Sequence, residues 1–143
     1  MKKFVTVFIL AAALVSPLKV MAEETVDKVL ITLTSSEQQA RGMAMVLGNM
    51  MQNKGAEVSV LLCDSAGDMA LKNQVSEPLK PKNVTPEQLM VKLMSGGAKV
   101  DVCALYLPNK GIQLDALLEG VGAAKPPVMA AALLEADTRV FNF

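Results

Sequence analysis

The chain has 143 residues, 14 basic and 14 acidic side chains, no histidine, and 52% hydrophobic residues. That length suits one domain around one core. The balanced charge lacks the basic footprint of a nucleic-acid binder, and without histidine the chain cannot assemble within itself a Cys-His or Ser-His nucleophile pair or a histidine-based zinc or copper site.

Residues 1–22 read as a signal peptide: Lys2 and Lys3 give a positive start, Phe4 to Val15 an apolar run, and Val20-Met21-Ala22 a small-residue cleavage site after Ala22. The run is about 12 residues, shorter than the roughly 20 that a membrane-spanning helix needs. Nothing later in the chain is long and apolar enough to span. The expectation is a soluble periplasmic or secreted domain over residues 23–143, without Lys2, Lys3 and Lys19 and so with 11 basic against 14 acidic residues, a net charge of −3. Its only aromatics are Tyr106, Phe141 and Phe143, too scattered for a base-stacking platform.

Val26 to Thr34 is a near-continuous apolar run, the pattern of a strand covered on both faces. Ser35 or Ser36 can cap the amphipathic helix that follows, in which Ala40, Met43, Val46, Leu47, Met50 and Met51 recur at helical spacing until Gly55. Val58 to Cys63 reads as the second strand, then a polar loop from Asp64 with a short helix over residues 69–73 and an exposed connection carrying Pro78 and Pro81. Thr85-Pro86-Glu87-Gln88 combines an N-cap, a proline at the first helical position and a capping-box glutamine, and Gly96-Gly97 ends that helix.

The third strand is Ala98 to Cys103, extended further or turning helical over Ala104 to Leu107. A turn at Pro108-Asn109-Lys110-Gly111, a short helix over 112–119, a brief strand within Val121 to Ala124, a helix from Pro126 and Pro127 through Glu135, and a closing strand over 138–143 complete the pattern. Strands alternating with helices predict an α/β fold, a three-layer α/β/α sandwich whose mainly parallel sheet has about five strands.

Sites in open parallel sheets gather at the carboxyl ends of the strands. Cys63 ends the second strand and Cys103 the third. Period-two counting puts Glu57, Ser59, Leu61 and Cys63 on one face, and Lys99, Asp101 and Cys103 on the matching face of the next strand, so adjoining strands would bring both thiols to one polar side. A thiol reacts as thiolate, favoured by a nearby cation or a helix start. Lys110 is the nearest basic candidate, and Asp101 opposes it. Two cysteines in an oxidising compartment also pair as a structural disulfide, which is the plainest reading of Cys63 and Cys103.

Val102-Cys103, the spacing to Gly111, the helix Ala131-Ala132-Leu133-Leu134-Glu135-Ala136-Asp137 running into Val140-Phe141-Asn142-Phe143, the opening Val29-Leu30-Ile31-Thr32-Leu33-Thr34 and Gly67 together resemble the DsrE/DsrF-like family of small sulfur-handling proteins. The resemblance implies a layered α/β/α domain that assembles into trimers or hexamers. It also implies that Cys103 carries sulfane sulfur as a persulfide between donor and acceptor proteins or small polysulfide and thiol species. Thiol exchange of this kind needs no metal, cofactor or histidine. A carrier acts stoichiometrically or as a sulfurtransferase, and the residues leave that choice open. Cys63 is a candidate resolving or disulfide partner, Lys110 a candidate thiolate stabiliser, and Gly111, Gly67 and Asp64 with the 64–84 connection candidate pocket residues. The export signal departs from cytoplasmic members that feed transfer-RNA thiolation.

Two other readings stand beside this one. Met43, Met45, Met50, Met51, Met69, Met90, Met94 and Met129 with the thiols make a soft ligand set suited to copper(I), although Met43 with Met50 and Met90 with Met94 fall at helical spacing, where methionine fills core gaps. Alternatively the domain is an oligomeric interaction module with a structural Cys63–Cys103 disulfide.

Overall fold

Short runs rich in valine, leucine and isoleucine supply the middle layer of the protein, seen in a computed structural model that describes residues 28–143. The expected signal peptide, residues 1–22, lies outside the described residues. The strands are β1 (Lys28–Leu33), β2 (Glu57–Leu62), β3 (Lys99–Val102), β4 (Gly122–Ala123) and β5 (Thr138–Asn142). They form one five-stranded sheet in the order β4-β3-β2-β1-β5, and every pairing is parallel. The α/β class and the strand count agree with the sequence pattern.

Alternation decides which side chains go where. Val29, Ile31 and Leu33 of β1, Val58, Val60 and Leu62 of β2, and Val100 and Val102 of β3 are at most 4% exposed, and they pack in one cluster with Ala44, Met45, Met90 and Leu93. Those four come from helices α1 (Gln38–Asn53) and α2 (Pro86–Ser95), which cover this face of the sheet. The opposite face is more polar. Its Lys28, Glu57, Ser59, Lys99 and Asp101 line a cleft of about 200 Å³ with Val128, Met129 and Ala132 of α4 (Pro126–Leu134). A short helix, α3 (Tyr106–Lys110), follows β3.

The local signals were mostly obeyed. Thr85 accepts from the Gln88 backbone N–H while the Gln88 side chain accepts from the Thr85 N–H, a complete capping box with Pro86 at the helix start. Gly55 and Gly97, at φ +96° and +101°, follow α1 and α2 as backbone conformations that a side chain resists. Three details differ from expectation. Neither Ser35 nor Ser36 is the N-cap of α1. That position is Glu37, with no side-chain cap, because the Ser35 hydroxyl accepts from the Glu37 N–H in a turn before the helix. The short helix expected over 69–73 is a 3-10 helix at Asp64–Ala70, directly after β2. The helix expected over 112–119 is only a 3-10 turn at Leu114–Ala116, and the helix of this region, α3, lies earlier, over part of the expected Pro108–Gly111 turn, with Pro108 tolerated in its first turn, where the missing N–H costs no helical bond.

Ile31 is fully buried in β1, and its Cδ1 lies close beneath Gly48 of α1. Ile31→Ala is expected to cost about 2–5 kcal/mol of unfolding free energy by opening a cavity between sheet and helix, measured by urea denaturation; a loss below about 1 kcal/mol would show that the α1–sheet seam is not the core.

Candidate functional site

The cysteines are placed by the sheet ladder. Leu62 of β2 pairs with Val102 of β3 in parallel register, and the ladder continues one residue beyond each strand: the Cys63 N–H donates to the Leu33 carbonyl at 2.9 Å and the Cys103 N–H to the Leu62 carbonyl at 2.7 Å. Cys63 keeps an extended backbone, φ −122° and ψ 160°. Since Leu62 and Val102 point into the α1/α2 core, the next residues, Cys63 and Cys103, sit abreast at the carboxyl edge. Both are free and half-buried.

The two side chains interact directly. Burial first, then hydrogen bonding and charge from Cys103, then the charge of Asp64, push the Cys63 thiol up to about 12. Cys63 therefore keeps its proton at neutral pH.

After Cys103 the chain turns instead of extending. The Tyr106 N–H donates to the Cys103 carbonyl at 2.9 Å, and Ala104 and Leu105 form the turn into α3. At five residues, α3 is too short to act as an anion site in its own right. Its side chains instead build a polar wall with the 3-10 helix after β2. Asp68 is the hub: its Oδ1 accepts from the Tyr106 hydroxyl at 2.7 Å and from Lys110 Nζ at 2.5 Å. Lys110 Nζ also lies 5.8 Å from the Tyr106 ring centroid, within cation–π range.

Charge follows from this geometry. Burial works to raise the Asp68 pKa, but the hydrogen bonds from Lys110 and Tyr106, with the charges of Lys110 and Arg41, outweigh it and hold the carboxyl below its ordinary value. Tyr106 is pushed well up by burial and then by its bond to the Asp68 carboxylate, and stays a neutral phenol. Arg41 of α1 is only 8% exposed. Its Nε donates to the Ser35 carbonyl at 2.8 Å and its Nη2 to the Ser65 carbonyl at 2.6 Å, tying together the loops that follow β1 and β2.

Asp64, Ser65, Asp68, Cys103, Leu105, Tyr106, Asn109 and Lys110 enclose an open cleft of about 510 Å³. Of the residues singled out from sequence, Cys103, Asp64 and Lys110 line it, and Cys63 adjoins Cys103. Asp64 holds a left-handed backbone, φ +51°, unusual for a residue with a side chain. The Lys110 ammonium is engaged by Asp68 rather than left for the thiol. Gly67 and Gly111 act through the backbone. A Cβ on Gly67 would sit 2.4 Å from two Tyr106 ring carbons, so its absence lets the ring lie flat against the 3-10 helix, and Gly111, at φ +68°, ends α3. Only the first part of the 64–84 connection frames this cleft. Pro78 to Lys82 and Val84 instead line a groove of about 850 Å³ along α1 and α2.

Arg41, Asp68 and Tyr106 were not read as site residues. Arg41 left one signal: it falls at the spacing of Ala44, Met45 and Gly48, a cation on the buried stripe of α1. Asp68 and Tyr106 meet across 38 positions, a pairing that no local pattern carries.

No family model and no curated protein matches the chain in sequence. Solved structures do match in shape. The ychN protein from E. coli superposes with a TM-score of 0.66 at 19% identity, covering 82% of this chain and 98% of that one. Two proteins of unknown function are also similar, MTH1491 from Methanobacterium thermoautotrophicum (TM-score 0.60, 14% identity, 81% and 98% covered) and BT1422 from Bacteroides thetaiotaomicron (TM-score 0.61, 12% identity, 85% and 99% covered). At these identities the likeness shows a DsrE/YchN-like fold.

Because Asp68 has a depressed pKa in the folded protein, its stabilising contribution is present above its unfolded value of about 4 and is lost as pH falls through the lower folded value. Asp68→Asn should cost about 1 kcal/mol at pH 7, and the gap from wild type should narrow at an acid pH below the unfolded value of about 4. Paired denaturation curves at the two pH values check this; a gap unchanged in acid would contradict it.

Proposed function

We propose that the protein carries sulfane sulfur as a persulfide on Cys103, in an exported domain that receives it from one thiol species and passes it to another. The observation that carries this reading is the position of Cys103: a free thiol at the carboxyl edge of a parallel sheet, opening on a polar cleft and contacted by a second thiol. The DsrE-like fold supports it as analogy alone.

The chemistry is thiol exchange. The Cys103 thiolate attacks the outer sulfur of a donor persulfide, a new S–S bond forms at Cys103, and the donor's own S–S bond breaks with its electron pair returning to the donor thiolate. Handing on reverses the step, with an acceptor thiolate attacking the outer sulfur. The cleft leaves room for that outer sulfur, and Asn109 and Lys110 keep amide and ammonium hydrogens along its wall beyond those given to Leu105 and Asp68.

The copper(I) alternative finds less support. Met45, Met69 and Met90 are fully buried in the core, Met43 and Met50 lie along the α1 groove and Met129 in the cleft under α4, so none of these lines the cleft with Cys103. A homo-oligomer fits the surface: Val128, Leu133 and Leu134 of α4, and Met43, Val46, Leu47 and Met50 of α1, are 40% or more exposed, apolar area that a second copy would cover. Export rests on the pattern of residues 1–22. No helix among the described residues is long and apolar enough to cross a membrane.

In Cys63→Ser, where Cys103 is the sole thiol, brief exposure to glutathione persulfide should add about 32 Da at Cys103, removed again by excess acceptor thiol. Cys63→Ser/Cys103→Ser should gain nothing. A folded Cys63→Ser protein that shows no gain on Cys103 by peptide mass mapping would contradict the carrier reading.

A further inference from the structure

We propose that Cys63 discharges the persulfide on Cys103 internally, releasing hydrosulfide and leaving a Cys63–Cys103 disulfide, so that the domain reduces sulfane sulfur as well as relaying it. This rests on the carrier reading of Cys103 and gives the same site an outlet that needs no acceptor protein.

The argument begins with the register. Cys63 and Cys103 follow the paired residues Leu62 and Val102, and the Cys103 N–H is bonded to the Leu62 carbonyl at 2.7 Å. Adjacent strands lie about 4.8 Å apart, inside the roughly 4.4–6.8 Å between Cα atoms that a disulfide spans. Parallel partners share a face, so both side chains leave the sheet on the same side. Flanking Leu62 and Val102 are fully buried and hold the two positions in place, and a bridge needs side-chain rotation only.

The balance closes without any outside oxidant. In the loaded state Cys103 holds an outer sulfur as a persulfide anion. Cys63 gives its proton to that outer sulfur and attacks the inner one, the Sγ of Cys103. The bond between inner and outer sulfur breaks, its electron pair leaves with the outer sulfur as hydrosulfide, and the Cys63–Cys103 bond forms. Two thiol sulfurs are oxidised to a disulfide and one sulfane sulfur is reduced to sulfide.

The surroundings suit this division of labour. Cys63 lies beside Cys103 at the strand ends and keeps its proton at neutral pH, so the proton that the departing sulfur requires is close at hand. The same protonation keeps Cys63 a poor nucleophile toward outside reagents, which leaves loading to Cys103. The cleft opens on Cys103, where the outer sulfur leaves. Because both cysteines are half-exposed, the product bridge belongs to the labile kind. An external dithiol resets it, becoming oxidised to its own disulfide as Cys63 and Cys103 return to thiols.

The test compares the wild type with Cys63→Ser and Cys63→Ala, all shown folded by circular dichroism, after one equivalent of glutathione persulfide. Wild type should release about one equivalent of sulfide per chain, lose about 2 Da and yield a linked Cys63–Cys103 peptide within a single chain, at a rate independent of protein concentration. Both variants should hold the 32 Da adduct on Cys103 and release at least tenfold less sulfide. If wild type retains the adduct as long as the variants do, discharge is overturned and the carrier reading stands; a link between chains, or a rate that rises with protein concentration, also overturns it. If neither variant loads Cys103, the carrier reading fails and takes the discharge with it.

Discussion

The in-register pairing of β2 with β3 is the constraint on which the site depends. Two valine-rich strands meet with Leu62 opposite Val102, both driven into the α1/α2 core by their apolar side chains. Period two then leaves no choice for the next residues: each turns to the opposite face, and each is a cysteine. A slip of one position would send one thiol into the core and the other out of reach of it. Burying Leu62 and Val102 therefore stabilises the sheet and sets the distance between the thiols at once.

Around that pair the protein spends its charges on architecture. Arg41, nearly buried, bridges the carbonyls of Ser35 and Ser65 and so fixes the loops that leave β1 and β2. Asp68 gathers Tyr106 and Lys110, joining the 3-10 helix after β2 to the helix after β3. Each of these cations is matched by carbonyls or a carboxylate, so neither is left as a free countercharge for the thiols. Such a wall suits exchange between sulfur atoms, which moves electron pairs along S–S bonds and asks for access and alignment more than for a fixed countercharge. Among the described residues no cluster of three or more metal-ligating cysteine, aspartate or glutamate side chains occurs.

Much of the scaffold was legible because local rules and tertiary packing agree. Continuous apolar runs mark the covered strands, Thr85-Pro86-Glu87-Gln88 marks the start of α2, and the alternation through Ser59 and Asp101 puts both cysteines on one face. The segment from Asp64 to Ala70 was misjudged because a 3-10 helix, one that begins with a left-handed Asp64, lacks the periodicity that marks an α-helix. Pro108 looked like a turn signal, yet at the third position of α3 it fits the helix start. Lys110 was the right cation in the right neighbourhood, but its partner is Asp68, 42 residues away, and long-range pairings of this sort leave no trace in spacing.

The central claim is that these neighbouring thiols are unequal, with Cys103 the reactive one and Cys63 its protonated companion. Limiting iodoacetamide on the native, fully reduced protein at pH 7.5, followed by peptide mapping, tests this most directly. The account predicts that Cys103 is alkylated at least tenfold faster than Cys63 and that the difference vanishes in denaturant. Equal rates in the native state, or faster labelling of Cys63, would contradict it.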